Sequence, residues 1–197
     1  ARWAGVELLG IYSLANAVTR ITEVVGKLGL DQGILRKVSR ENNTENKQTA
    51  ILSALKMGSI SGLIFMILQI SIAGFLAENF FNQSSLLTKV IAIHALSLPF
   101  YIIIHISAFS TQAFKLLKYK IIVTEIQNPL ILLLAMMVCF FFYSAESAII
   151  IPVVISGVLG CVTISMFLKK ISGVNFLSVK KGVFDKNLLN YSLPIMF

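Results

Sequence analysis

Charged side chains are scarce in this chain of 197 residues. Asp, Glu, Lys and Arg make up 13% of the sequence, about half of the share that soluble domains carry. Apolar residues reach 56%, and the mean hydropathy is +0.83. A soluble globule of this size has too small an interior to hide so many apolar side chains from water. Composition therefore predicts an all-α polytopic membrane protein, a helical bundle.

Cysteines and catalytic motifs are also few. Cys139 and Cys161 lie in apolar runs, without the spacing of a metal site or a disulfide framework. The sequence contains no glycine-rich phosphate loop, no HExxH and no GxSxG motif, so the common signatures of nucleotide binding and hydrolysis are missing. We therefore expect no metal, no cofactor and no enzymatic activity.

Five apolar segments are long enough to form helices that cross a bilayer. They cover residues 8–30, 49–77, 86–114, 121–143 and 148–168. Pro99 lies inside the third segment, where it predicts a kink or a break. The polar stretch 31–48 reads as an aqueous loop. A sixth apolar segment starts at residue 188 and stops at 197, so we expect the chain to be a piece of a longer protein.

Basic residues outnumber acidic ones by 17 to 9, for a net charge of +8. In a soluble protein this excess would suggest nucleic acid, but in a membrane protein it reports orientation. The loops after the first, third and fifth segments carry 13 basic residues, and the other side carries two. The positive-inside rule therefore predicts that the 13 face the cytoplasm. For a membrane protein we expect no nucleic acid as a partner. Residue 1 would then lie outside. Since no signal peptide is visible, an earlier span is expected to be missing.

The first segment carries a narrow polar stripe. At about 100° per residue, its three charged side chains and its one amide fall within a sector about 60° wide. They are Asn16, Arg20, Glu23 and Lys27. An ionised side chain is costly against lipid, so this face should turn toward protein or a watery cavity. Glu23 neutralises one of the two cations, which leaves one positive charge for an anion. The alternative is a salt-bridge network that only joins helices.

A second stripe runs along the third segment. It consists of His94, Tyr101, His105 and Gln112, which share a sector about 40° wide. A histidine at this depth can relay protons or bind anions, or its imidazole can simply hydrogen-bond a neighbouring helix. Glu125, near the start of the fourth segment, is expected to pair with Lys120. The lysines of the last loop need do no more than set topology and meet anionic lipid.

Three short runs of the sequence together resemble a known family. They are Leu-Gly-Ile-Tyr-Ser-Leu at 9–14, LGLDQGILRKVSR at 28–40 and Asn-Tyr-Ser-Leu-Pro at 190–194. These runs resemble the O-antigen and exopolysaccharide flippases of the multidrug/oligosaccharidyl-lipid/polysaccharide exporter superfamily. The resemblance implies that residues 1–187 form helices two to six of the N-terminal lobe of a two-lobe fold, and that 188–197 begin helix seven.

The resemblance also implies a function. The family moves oligosaccharides linked to polyprenyl pyrophosphate across the cytoplasmic membrane by alternating access. Arg20 and Lys27 are then the expected ligands of the pyrophosphate, with Glu23 beside them, while Asn16, Tyr101 and His105 are expected near the glycan. Arg36 and Arg40 match the family's loop motif at the cytoplasmic mouth. Membrane lipid and the polysaccharide polymerisation machinery are further expected partners, and proton or sodium coupling through His105 or Glu23 stays open.

Three other functions compete with this prediction. A drug or cation antiporter of the same superfamily would prefer an acidic cavity. A transporter of another lipid cargo, such as the peptidoglycan precursor, would differ only in the fit of its cavity. A polytopic membrane transferase could use His94 or His105 as a base, although the external loops are short for an active site.

Overall fold

The structure is a computed structural model that describes residues 5–81, 85–174, 184–192 and 194. Within these residues the chain is helical and contains two π-helical segments, Leu76–Phe80 and Ile122–Gln127. The α-helices are α1 (Val6–Gly26), α2 (Leu30–Arg40), α3 (Thr44–Phe75), α4 (Ser85–Ala95), α5 (Leu98–Ala113), α6 (Leu117–Ile121), α7 (Asn128–Phe142), α8 (Ala145–Ser172) and α9 (Lys186–Ser192).

Three continuous helical stretches are long and apolar enough to cross a membrane. They are Thr44–Phe80, Leu117–Phe142 and Ala145–Ser172. A fourth crossing results if α4 and α5, which meet at a bend of 40°, form one span. The prediction of an all-α polytopic membrane protein is confirmed. Among the described residues, α1 does not meet the same test of length and composition, so its crossing of the membrane stays a prediction.

The predicted break near Pro99 is confirmed. α4 ends at Ala95, and α5 starts at Leu98 with the proline in its first turn, where a missing N–H costs nothing. The hydroxyl of Ser97, between the two helices, donates to the carbonyl oxygen of His94 at 2.6 Å. The Ser97 backbone N–H donates to the same oxygen at 3.0 Å, so the carbonyl group at the break keeps two partners.

The prediction of a loop over 31–48 is wrong for most of its length. Residues 30–40 form α2, whose apolar side chains Leu30, Ile34 and Val38 are fully buried. Their spacing of four residues places them on one helical face, so this short helix is held by packing. α3 also begins early, at Thr44, because the side chain of Asn43 caps its first turn and accepts from the Glu45 N–H at 2.9 Å.

Small residues set the distances between the helices around α3. A Cβ atom at Gly62 would lie only 2.9 Å from the Cα atom of Pro99, so α3 and α5 meet at backbone contact. The hydroxyl of Ser61 donates to the carbonyl oxygen of Gly26 at 2.5 Å and ties α3 to the end of α1. Helix α7 packs on α8, and a cleft remains between α1 and α7, with α5 as its floor.

The start of α3 and the ends of α5 and α8 lie at one end of the bundle. The ammonium of Lys47 sits 5.5 Å from the ring centroid of Phe114, and the Gln48 amide donates to the carbonyl oxygen of Ser172 at 2.6 Å. These contacts bring together three of the segments in which the basic residues concentrate. The side of the membrane that this end faces stays a prediction.

The last described helix, α9, docks on α2. The ammonium of Lys37 pairs with the Asp185 carboxylate at 2.5 Å. At Gly33 a Cβ atom would lie 1.9 Å from the Ser192 hydroxyl, so only a glycine allows this approach. Residues 193 and 195–197 of the predicted helix seven lie outside the described residues, and the division of the chain into residues 1–187 and 188–197 stays a prediction.

Candidate functional site

A polar cavity of about 390 Å³ lies between α1, α5 and the start of α7. Four of the eight predicted site residues line it: Asn16, Arg20, Tyr101 and His105. The rest of its wall comes from residues that the sequence analysis did not assign to a site, namely Tyr12 on α1 and Thr124, Glu125, Asn128, Pro129 and Leu132. The two predicted polar stripes, on separate segments of the chain, therefore meet at one cavity.

Arg20 is the most accessible cation of this cavity. Its side chain is 60% exposed, and its Nη1 atom lies 3.7 Å from the Glu23 carboxylate, beyond ordinary hydrogen-bond length. The guanidinium stands 5.7 Å from the ring centroid of Tyr101, whose hydroxyl lies 2.7 Å from the Ser156 hydroxyl on α8. The aromatic ring thus supports the guanidinium, while its N–H donors remain free enough to bind an anion.

Glu23 is the buried carboxylate beneath Arg20. Its side chain is only 4% exposed, and one oxygen lies 3.0 Å from the His105 Nε2 atom and 3.9 Å from the Lys27 ammonium. Glu23 also lines a narrow extension of the cavity, about 40 Å³, beside Asn16 and Tyr101. A carboxylate this deeply buried needs its cationic and hydrogen-bonding neighbours to remain ionised.

Lys27 is held between two carboxylates. Its ammonium lies 3.9 Å from Glu23 and 3.5 Å from Asp31, and its side chain is 15% exposed. With Arg20 included, the two cations and the two carboxylates carry no net charge. The residual positive charge expected from the stripe is therefore cancelled by Asp31, which lies on α2, outside the segment that carries the stripe. Arg20 remains an exposed donor despite this balance.

The opposite wall of the cavity comes from the π-helical turn and the first residues of α7. Thr124, Glu125 and Asn128 lie there, and the Thr124 hydroxyl donates to the Glu125 carboxylate at 3.0 Å. Lys120, the expected partner of Glu125, donates to Gln112 at 3.0 Å. Since π-helical turns are frequent at functional sites, this wall belongs to the candidate site.

Asn128 owes its position to a glycine on α8. A Cβ atom at Gly160 would lie 2.3 Å from the Asn128 Oδ1 atom, so only glycine leaves room for the amide. The sequence analysis assigned no role to Asn128. A spacing of four residues between Thr124 and Asn128 was the available signal, because it places both polar side chains on one helical face.

Arg36 and Arg40 lie at a second pocket, at the end of the bundle where α2 meets α9. This pocket measures about 370 Å³, and Lys37, Glu41, Leu188 and Tyr191 complete its lining. A hydrogen bond from the Asn43 backbone N–H, 3.2 Å long, helps to hold the pKa of the exposed Glu41 carboxyl below its ordinary value. The eight predicted residues thus belong to the cleft, the ion-pair cluster beside it and this basic pocket.

His94 has the structural environment that the sequence reading left open as an alternative. Its ring is fully buried, and its Nε2 atom lies 2.8 Å from the carbonyl oxygen of Ile149 on α8. Because a carbonyl only accepts, Nε2 carries the proton. The Tyr12 ring lies edge-on to the imidazole, with 5.9 Å between ring centroids. His94 therefore supports the cavity wall from behind, whereas His105 contacts Glu23 directly.

Fold and site together define a polytopic α-helical membrane protein with a polar cleft between its helices. The sequence model of the family described as "Polysaccharide biosynthesis protein" matches residues 1–197. The chain belongs to this polysaccharide biosynthesis protein family. No curated protein and no solved structure matches it.

Proposed function

We propose that this protein is a flippase of the multidrug/oligosaccharidyl-lipid/polysaccharide exporter superfamily. Its cargo is an oligosaccharide linked to polyprenyl pyrophosphate, which it moves across the cytoplasmic membrane by alternating access. Family membership and the helical membrane fold support a role in polysaccharide biosynthesis. The observation that carries the proposal further is the exposed Arg20 guanidinium in a polar cavity.

The chemistry of the cargo requires such a cavity. A sugar pyrophosphate carries negative charge and many hydroxyl groups, and each loses its water when the head group enters a low-dielectric region. Arg20 can offer charge-assisted N–H donors to the pyrophosphate. Asn16, Tyr101 and His105 line the same space and offer hydrogen bonds to the glycan. No bond of the cargo is made or broken in this role.

Lys27 and the basic pocket have supporting roles in this proposal. Lys27 already compensates Glu23 and Asp31, so it holds Glu23 in place and contributes less to anion binding than Arg20. Arg36 and Arg40 would meet the pyrophosphate at the cytoplasmic entrance, provided that the basic end of the bundle faces the cytoplasm. Contacts with polysaccharide polymerisation machinery and coupling to protons or sodium ions through Glu23 and His105 belong to the same proposal.

A transport assay with reconstituted protein tests the proposal. Liposomes carrying the purified full chain and a fluorescent lipid-linked oligosaccharide would report flipping as the fraction of label that becomes accessible to an external quencher. We expect Arg20→Gln to reduce the rate at least tenfold and Lys27→Gln to reduce it less. Lys89, an exposed cation on α4 away from the cavity, provides the control variant Lys89→Gln. Normal flipping by Arg20→Gln would contradict the proposal.

Export of an organic cation is the second candidate. Glu125 in the cavity wall and Glu23 in the narrow extension favour it, because the cavity is less positive than the sequence predicted. The same liposomes loaded with ethidium distinguish the two. A flippase leaves ethidium where it is, whereas an antiporter moves it, and Glu125→Gln would then reduce that movement.

A further inference from the structure

The cleft between α1 and α7 continues beyond the polar cavity. A second cavity of about 440 Å³ lies against it, and Tyr12 lines both. The lining of this second cavity is almost entirely apolar. It consists of Leu9, Tyr12, Met136, Met137, Phe140, Phe141, Ala145, Ala148 and Ile149.

Both helices change character at the same level of the cleft. On α7, Leu132 lines the polar cavity, and Met136 and Phe140 line the apolar one. Thr124 and Asn128 also line the polar cavity, so the side of this stretch that faces the cleft is polar at its start and apolar beyond Leu132. On α1 the corresponding stripe runs in the opposite sense, from Leu9 at the apolar end to Arg20 at the polar end.

Matched stripes of this kind fit an amphipathic ligand. The polar half offers a cation and hydrogen-bonding groups, while the apolar half offers only hydrocarbon and aromatic surface. Met136 and Met137 have flexible side chains that adapt to an irregular chain. Asn128 and Phe140 are 12 positions apart and are therefore about 18 Å apart along the helix at 1.5 Å per residue. A head group at Asn128 and a chain of several carbon–carbon bonds beyond it fit along this length.

We propose that the apolar half of the cleft holds the hydrocarbon chain of the lipid whose anionic head lies beside Arg20. This inference rests on the proposed function, because it takes the anionic lipid cargo from there and adds where the chain lies. Tyr12 lines both cavities, so the polar cavity and the apolar cavity adjoin, and this adjacency points to the occupant. The ligand then enters sideways between α1 and α7 without pulling its chain through the polar cavity.

The apolar cavity, called the chamber below, determines where the hydrocarbon chain lies more than it raises the affinity for the lipid. A hydrocarbon chain that leaves the bilayer for an apolar cavity exchanges one apolar environment for another. Chain length should therefore change the affinity little, and the chain's position becomes the quantity to measure. A photoreactive chain with an anchored head should accumulate in the chamber, whereas a chain without that head should label all lipid-facing residues alike.

Photolabelling of the full chain in phosphatidylethanolamine/phosphatidylglycerol vesicles tests this. The two probes are a diazirine-bearing farnesyl diphosphate and the farnesol of the same chain, and mass spectrometry locates the adducts. We expect the diphosphate to label Met136 and Phe140 on the order of tenfold more than farnesol does, because an anchored head raises the local concentration of its chain. Excess inorganic diphosphate should remove that difference.

Two matched variants separate the chamber from the outer surface of α7. Met136→Trp fills the chamber and should reduce labelling of Phe140 by the diphosphate probe. Leu134 lies on the exposed face of the same helix, so Leu134→Trp should leave that labelling unchanged. Labelling of the exposed Leu68 on α3 should be equal for both probes and in both variants.

The outcomes also separate this inference from the proposed function. Binding of radiolabelled inorganic diphosphate to the wild-type chain and to Arg20→Gln measures the head site alone. If Arg20→Gln abolishes this binding but both probes label the chamber and Leu68 alike, bulk lipid fills the chamber and the inference is wrong. The inference is equally wrong if the chamber stays unlabelled because another helix covers it. If diphosphate binding does not depend on Arg20, the proposed function itself fails.

Discussion

Replacing the buried carboxylate of Glu23 should lower stability much more than replacing an exposed one on the same helix. The Glu23 side chain is 4% exposed and has three basic neighbours, His105 at 3.0 Å, Arg20 at 3.7 Å and Lys27 at 3.9 Å. Removing one partner of a buried ion pair costs roughly 3–5 kcal/mol. Two details of the structure place the expected loss at the lower end of this range.

The first detail is that Lys27 keeps a second carboxylate, Asp31, at 3.5 Å. The second is that Arg20 is 60% exposed, so water replaces much of its interaction with Glu23. We therefore expect Glu23→Gln to lower the free energy of unfolding by about 3 kcal/mol. Glu7, which is exposed at the start of α1, provides the control Glu7→Gln, with an expected change of about 0.5 kcal/mol or less.

Equilibrium unfolding of the purified chain in mixed micelles, followed by circular dichroism, measures both changes. Suppression of the loss by Glu23→Asp in a parallel experiment would support an electrostatic origin. The reasoning is refuted if Glu23→Gln and Glu7→Gln unfold at the same denaturant concentration, because Glu23 would then contribute no more than a surface carboxylate.

Two further predictions concern packing. Gly62→Ala should destabilise the fold by about 1–3 kcal/mol, because its Cβ atom would lie 2.9 Å from the Pro99 backbone. Gly74→Ala, whose Cβ atom would have its nearest neighbour 4.0 Å away, should stabilise the fold by up to about 1 kcal/mol. Thermal unfolding compares the two variants, and equal unfolding midpoints would exclude the proposed contact. Lys37→Met should speed backbone hydrogen exchange in α9 without changing it in α3, since the substitution removes the ion pair with Asp185. Unchanged exchange in α9 would show that this ion pair does not hold α9 against α2.

Much of the fold followed from apolar composition. Segments about 20 residues long and nearly free of charge leave a helix as the only backbone that satisfies its own polar groups in lipid. The same reasoning failed for α2, because a search for long apolar segments misses a helix whose sequence is mostly polar. The stripe Leu30, Ile34 and Val38 was the correct signal there, since a short helix at the end of a bundle needs only one apolar face.

Helical periodicity in the sequence predicted part of the candidate site. Periodicity put Asn16 and Arg20 on one face and Tyr101 and His105 on another, and both faces line the same cavity. It could not show that Asp31 would compensate Lys27, because the turn between α1 and α2 decides that contact. Gly29 in this turn has a φ of +67°, a backbone conformation that glycine adopts without strain.

Periodicity could place Thr124 and Asn128 on one helical face, but it could not show that this face, with Glu125, forms a wall of the cavity. Its orientation depends on the π-helical turn Ile122–Gln127, which rotates the residues after it relative to a regular helix. The fit of Asn128 against Gly160 is a contact between two separate helices, and periodicity within one helix does not determine which neighbour a face meets.

Water access along α1 tests most directly whether its polar face opens to a hydrated cleft. With Cys139 and Cys161 replaced by alanine, Asn16→Cys and Ile21→Cys would be compared for reaction with a charged, membrane-impermeant thiol reagent. Ile21 is 67% exposed on the outer face of α1, whereas Asn16 is partly buried and lines the cavity. We predict rapid labelling of the cysteine at position 16 and none at 21, where lipid excludes the reagent. Labelling at 21 with no reaction at 16 would contradict the account.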